Sequence, residues 1–231
     1  AIVYWTGGVL KRQTLNSHIL QDLELGYCHP NYETAFLQRA SDITTQCSSG
    51  YELPQSTPIH EMGFGVLRPW IADDLVAHQS VFADSDLMRW HQMSVLSLDE
   101  SRARVAYSSG SHAYRSEWTY AIEAGDFGIV GHFEVRLLSV VERSVEVSFG
   151  LKSGFHRRGW MTVCIQTVLS EWSARFGVTK FYARVKPENE ASQKLLEGCG
   201  FQRIQTDVRG LLSYGPLRQV VVYHYRGNAP A

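Results

Sequence analysis

The clearest periodic stretch of the chain lies over residues 160–176. There Met161, Ile165, Val168, Leu169, Trp172 and Phe176 recur at helical spacing, and Gly177 follows as a stop. Before it, three strand-like runs at 118–123, 128–138 and 144–151 are separated by the turn signals Gly125-Asp126 and Glu142-Arg143. They predict a β-meander. After it, Lys180 to Lys186 reads as a strand that Pro187 cannot continue. Asn189 then suits the N-cap of a short helix through Leu195, Leu196 and Glu197, and two last strands are expected at 202–208 and 219–225. Upstream, residues 63–70 predict a strand and Ala72-Asp73-Asp74 the start of a helix. Ser97 with Glu100 three residues on forms a capping box for a second helix to about Tyr107. The whole predicts an α+β fold with a mixed sheet flanked by helices.

Residues 1–60 are less regular. Leu10, Leu15, Ile19, Leu20, Leu23 and Leu25 form a loose helical pattern over 9–25 that Gly26 would end, and residues 47–58 are rich in turn formers and look like a linker. A boundary near residue 60 is therefore expected, with an N-terminal extension at 1–60 and the main domain at 61–231.

Composition narrows the function. The 231 residues are 44% hydrophobic and 19% charged with a formal net charge of −1, which gives no global attraction for nucleic acid. No apolar run is long enough to span a bilayer and no signal-peptide pattern opens the sequence, so no membrane partner is expected. The four cysteines show no paired C-x-x-C spacing, and a set of Cys28, His29, Cys47 and His60 matches no zinc pattern. A reduced, cytoplasmic protein without a metal is the expectation. A homodimer is left open.

The strongest chemical signal is the junction His156-Arg157-Arg158-Gly159-Trp160-Met161, where a strand gives way to the long helix. Such a junction points unpaired backbone N–H groups and the positive end of a helix dipole at one spot, which suits a pyrophosphate.

At these positions the sequence resembles the GNAT acetyltransferase superfamily, most closely its RimJ/RimL branch, which acetylates protein N-termini. The resemblance covers about residues 63–226. It rests on Asn189-x-x-Ser192-x-x-Leu195-Leu196-Glu197-x-x-Gly200-Phe201, on Leu67-Arg68-Pro69-Trp70 followed by Asp73-Asp74, and on Gly131-His132. The family's acyl-CoA loop, Q/R-x-x-G-x-G/A, stands here as residues 156–161. Gly159 matches, His156 replaces the usual Gln or Arg, and Met161 replaces a small residue, adding bulk where backbone and pyrophosphate approach.

The resemblance implies a GNAT fold and acetyl-CoA as co-substrate, held by Phe149, Leu151, His156, Arg157, Arg158, Gly159, Trp160, Met161, Asn189 and Ser192. It also implies direct transfer of the acetyl group to an amine acceptor, either a protein N-terminus or a small molecule. A detoxifying or self-immunity enzyme is one alternative, and a non-catalytic acyl-CoA-binding module is another. Glu146 matches a family base, or else is a strand carboxylate paired with an arginine. Ser192 would donate a hydrogen bond to the departing thiolate, or else supports its helix, since Leu196 cannot protonate anything. Asn189 would contact the pantetheine amide or cap its helix, and Arg157 and Arg158 would reach the phosphates or form a solvated turn. The carbonyl oxygen would accept a backbone N–H near Phe149 to Leu151, where Gly150 permits a splay. His91 and His112 line the acceptor cleft or lie at the surface. Trp70, Trp90 and Trp118 are core residues, with one or two of them walling the pocket.

Overall fold

The computed structural model describes residues 3–6, 9–12, 53–91, 96–110, 117–140, 142–205 and 220–227. Two strands, β1 (Val3–Thr6) and β2 (Val9–Arg12), form a separate antiparallel pair. The remaining strands are β3 (His60–Met62), β4 (Gly65–Pro69), β5 (Glu117–Glu123), β6 (Ile129–Ser139), β7 (Ser144–Leu151), β8 (Lys180–Val185), β9 (Gln202–Gln205) and β10 (Val221–Arg226). They make one sheet in the order β3-β4-β5-β6-β7-β8-β10-β9, in which only β7 and β8 run parallel. The helices are α1 (Leu75–Phe82), α2 (Ser85–Met88), α3 (Leu98–Ser109), α4 (Trp160–Phe176) and α5 (Glu190–Gly198).

Strand alternation divides the interior. Trp118, Tyr120 and Ile122 of β5, Phe133, Val135 and Leu137 of β6, and Val145 and Val147 of β7 join Cys164, Ile165, Val168, Leu169 and Trp172 of α4 in the larger core. Ala121, between those β5 positions, belongs to a second core with Trp70, Val81, Phe82, Leu87, Met88, Leu96 and Val105. The sheet thus carries α4 on one face and α1–α3 on the other. The expected meander and the helix at 160–176 are present, and the caps form as read. The Ser97 hydroxyl accepts from the Glu100 N–H at 3.2 Å while the Glu100 carboxylate accepts from the Ser97 N–H at 2.7 Å. Gly177 closes α4 in the left-handed region at φ +62°.

Four expectations change. Residues 9–12 are strand rather than helix, because Val3–Thr6 and Val9–Arg12 are apolar-polar runs separated in sequence by Gly-Gly, a strong hairpin signal; the rest of 13–25 lies outside the described residues. The strand expected at 63–70 begins at Gly65, since His60–Met62 folds back on it as β3. Residues 72–74 form a 3₁₀ turn before α1 rather than the helix itself. The linker-like stretch is, from residue 53, part of the fold. Leu53 is buried in the larger core, the Trp118 indole N–H donates to the Pro54 carbonyl at 2.7 Å, and the Thr57 hydroxyl donates to the Ser108 carbonyl.

Candidate active site

β7 and β8 are in register at only three positions, Ser144 with Lys180, Val145 with Phe181 and Glu146 with Tyr182. β7 then runs on to Leu151 still paired with β6, while β8 runs on to Val185 still paired with β10. The two strands diverge, and the backbone of Val147 to Leu151 faces a gap. The Lys152 N–H donates to the Val130 carbonyl at 2.9 Å, toward β6. Alternation along the strand therefore turns the N–H groups of Phe149 and Leu151 the other way, into the gap.

Below the gap the chain turns through residues 152–159 into α4. Arg157 at φ +61° and Gly159 at φ +76° are both left-handed. Gly159 is the N-cap and offers no side-chain acceptor; Val163 is the first residue whose N–H returns to it, at 3.2 Å to the Gly159 carbonyl. Nothing lies within 4 Å of where a Gly159 Cβ would stand. The first N–H groups of a seventeen-residue helix are thus aimed into open space, a ready anion cradle. The two departures from the family loop have their own places. His156 turns back so that Nε2–H donates to the Leu151 carbonyl at 2.9 Å, pinning the loop to the end of β7. Met161 does not crowd the cradle as expected: its side chain is buried in the core under α4.

The gap opens into a cleft of about 960 Å³, part of it open to solvent. Ser148, Phe149, Asn189 and Ser192 line one part, and Trp90, His91, His132, Glu134, Glu146 and Arg184 another. Trp90 is a wall of the cleft, whereas Trp70 and Trp118 are core. His91 is in the cleft, and His112 lies outside the described residues. Asn189 caps α5 by accepting the Ser192 N–H on Oδ1 at 3.2 Å. The cap is therefore made by Asn189, and among the described residues the Ser192 hydroxyl makes no hydrogen bond. Leu196 is fully buried.

Glu146 sits at the last paired position before the strands part, and both of its oxygens are engaged by Arg184, at 2.6 Å from Nε and 2.5 Å from Nη2. Arg136 lies 3.7 Å from the same carboxylate and also bonds Glu117, at 2.9 Å, and Glu134. This ladder crosses four strands because Arg136 is in register with both Glu117 and Glu146. Sequence reasoning did not single out Glu134, Arg136 or Arg184. Their signal was His132, Glu134 and Arg136 alternating with Phe133, Val135 and Leu137, a charged row on a strand that is apolar on its other side.

Next to the ladder, His132 Nε2 and His91 Nε2 are 3.1 Å apart, so one donates and the other accepts. Burial, with Lys186 and Arg104 nearby, pushes His91 down to about 4; burial, with His91, His78 and Arg104, holds His132 well below the usual range. His78, beneath them against Phe82, is pushed to about 3 by burial and Arg104, with Asp74 opposing.

Two parallel-paired strands that part beside an uncapped helix, with a lined cleft adjoining, suit a transferase whose co-substrate carries phosphate. The sequence pattern described as Acetyltransferase (GNAT) domain matches residues 66–202, more than half of the chain, and the chain belongs to this family. Its members are N-acetyltransferases that use acetyl-CoA. No curated protein matches the sequence. Among solved structures, the fold is shared with an acetyltransferase that modifies the N-terminal serine of the ribosomal protein L7/L12 from Salmonella typhimurium, at 16% identity and a TM-score of 0.65 over 74% of this chain and 100% of that one. It is also shared with the microcin C7 self-immunity acetyltransferase MccE, solved with acetyl-CoA and AMP, at 12% identity and a TM-score of 0.63 over 71% and 93%. A spermidine N-acetyltransferase from Vibrio cholerae, with CoA and spermine, matches at 19% and 0.59 over 70% and 94%. No helix among the described residues is long and apolar enough to cross a membrane, and no group of three or more His, Cys, Asp or Glu among them could hold a metal.

Two outcomes follow from this geometry. Arg184→Met strands the buried Glu146 carboxylate, and thermal unfolding should show a loss of about 3–5 kcal/mol, partly recovered in the Arg184→Met, Glu146→Gln double variant. The three histidines are neutral in the folded protein, whereas an unfolded histidine titrates near 6.5. Below pH 6.5 the unfolded chain binds more protons, so stability should be flat above that pH. It should fall, by up to about 1.4 kcal/mol per pH unit for each histidine, toward pH 4. Urea midpoints measured from pH 8 to 4 check this, and His78→Asn should flatten the slope.

Proposed function

We propose that this protein moves the acetyl group of acetyl-CoA directly to a single primary amine, on a peptide N-terminus or a small molecule, held in the cleft beside β7. The observation that carries the reading is the divergence of β7 from β8 after Glu146, with the Phe149 and Leu151 N–H groups turned into the opening. The thioester would supply an activated acetyl group and a thiolate leaving group.

The N–H groups of the 157–162 turn and first helical turn suit the diphosphate, with Arg157 and Arg158 exposed beside them as charge-assisted donors. His156, bonded to Leu151, sets the height of the loop relative to the strand, and Trp160 and Met161 anchor its far side in the core. The Asn189 side-chain N–H₂ and the Phe149 and Leu151 backbone groups can hold pantetheine amides and the thioester oxygen, the latter stabilised as it becomes negative. Ser192, with its hydroxyl uncommitted on the cleft wall, donates to the departing sulfur.

A peptide α-amine has a pKa of about 8, so roughly a tenth is already neutral at pH 7. The amine therefore needs little help from a base. Glu146 can take a proton only by giving up a bond to Arg184. Its carboxylate acts electrostatically instead, favouring the positive charge that grows on the attacking nitrogen, and the proton which that nitrogen then sheds ends on the departing thiolate to give the amide and free thiol. The cleft's described cations, Arg104, Arg136, Arg184 and Lys186, outnumber its carboxylates, Glu134 and Glu146, which favours an acceptor with one amine over a polycation. His156 and Met161, the two departures from the family loop, are accounted for by a hydrogen bond to Leu151 and by core packing respectively.

The test is an acceptor screen that reads thiol release from acetyl-CoA with N-terminal peptides, aminoglycosides, polyamines and aminoacyl nucleotides. Release above background hydrolysis with single-amine acceptors supports the reading; none with any acceptor ends it. With a working acceptor, Ser192→Ala should lower kcat about 100-fold without changing the affinity for CoA by calorimetry. Gly159→Val, which forces a β-branched residue to φ +76°, should weaken CoA binding at least tenfold while the melting temperature shows that the fold persists.

A further inference from the structure

The cleft beside β7 has two ends of opposite charge, and the transfer chemistry uses only one of them. Strand register sets the scale. On β6, Arg136 lies opposite Glu146 and His132 lies opposite Gly150, four residues further along β7. At about 3.3 Å per residue that wall is roughly 13 Å long, the reach of some four extended residues.

At the Arg136 end stands the ion-pair ladder. Glu117, Glu134 and Glu146 gather round Arg136 and Arg184, three carboxylates to two guanidinium groups. At the His132 end, three other segments converge. His91, just past α2, brings its Nε2 to 3.1 Å from that of His132. Lys186, just past β8, donates from Nζ to the Arg89 carbonyl, two residues before His91. Arg104, from α3, sets its guanidinium carbon 6.0 Å from the Phe82 ring, which in turn lies 4.8 Å from the His132 ring. Burial, then Lys186 and Arg104, keeps His91 neutral, and burial does the same for His132. Among the described residues that line the cleft, the ladder end therefore carries the carboxylates and the histidine end carries two further cations. A lining polarised in this way complements a molecule that is polarised in the opposite sense.

Resting on the reading that an amine is acetylated beside β7, we infer that the acceptor also bears an oxyanion, a carboxylate or a phosphate, met by Lys186 and Arg104 while its amine faces the Glu146 side. An oxyanion offers lone pairs both to the point charge of a lysine and to the fork of an arginine. The length of the wall places the acid close to the amine. It lies within the first few residues of a peptide or on the same small molecule.

Thiol release from acetyl-CoA with matched acceptors tests this. Peptides that differ only as Glu or Gln at their second or third residue form one series, and γ-aminobutyrate with its amide forms the other. The acidic member should exceed its amide about tenfold in kcat/KM, after correction for the neutral fraction of each amine, in one series or both. A preference confined to one series tells a peptide from a small molecule. Lys186→Met and Arg104→Met should each cut the preference, Lys186→Arg should keep it, and Lys186→Glu should turn it toward peptides with Lys at the same position. Calorimetry with CoA and unchanged melting temperatures show that the variants are folded and loaded, and the wild-type comparison decides without them. Equal kcat/KM for acid and amide in both series, or a preference that survives both Met variants, overturns the inference while leaving acetyl transfer in place. No release with any acceptor overturns the transfer reading and this inference together.

Discussion

The site depends on how two neighbouring strands are allowed to part. β7 and β8 share three paired positions and separate at the fourth, and the ion pair between Glu146 and Arg184 sits at that apex. A buried carboxylate and guanidinium are costly to desolvate singly and tolerable only together, in two-pronged geometry. Backbone pairing holds the strands below this point, side-chain charge clasps them at it, and beyond it β7 is left with backbone donors that nothing in the sheet satisfies. Elsewhere unpaired N–H groups would be a defect. Here they are the donors on which the proposed site rests, and their direction is fixed by the pairing of β7 with β6.

The second element of the site follows the same logic at a helix end. Gly159 denies α4 a side-chain cap, and left-handed geometry at residues 157 and 159 turns successive donors outward. His156 and Met161, the two departures from the family loop, each have a structural place of their own. The imidazole became a brace to β7 and the thioether became core.

Much of this was legible in the sequence because it is local. Helix α4, its two glycine boundaries, the Ser97 capping box and the Asn189 cap are each written in fewer than about twenty consecutive residues, and they stand where periodicity and capping chemistry put them. The meander was equally plain. What was not legible is long-range. Nothing near Glu146 in the chain announces that Arg184, across a helix, will take both of its oxygens, and nothing in residues 53–57 announces that a turn-rich run is pinned to Trp118 and Ser108. The histidine pair was half seen, since His91 was a candidate but its partner His132 was read only as part of a motif. A short β3 was missed because three residues carry too little period to count, and β1–β2 because the leucines downstream suggested a helix.

The contact of Trp118 with residue 54 bears on where this protein can be cut. The indole N–H of buried Trp118 has its acceptor in a segment that precedes the first strand of the main sheet, and Leu53 of that segment is buried in the same core. A fragment trimmed to the edge of that sheet would bare a tryptophan donor and an apolar hollow at once. Crystallisation or expression boundaries are therefore better drawn ahead of the strap than at the strand it secures.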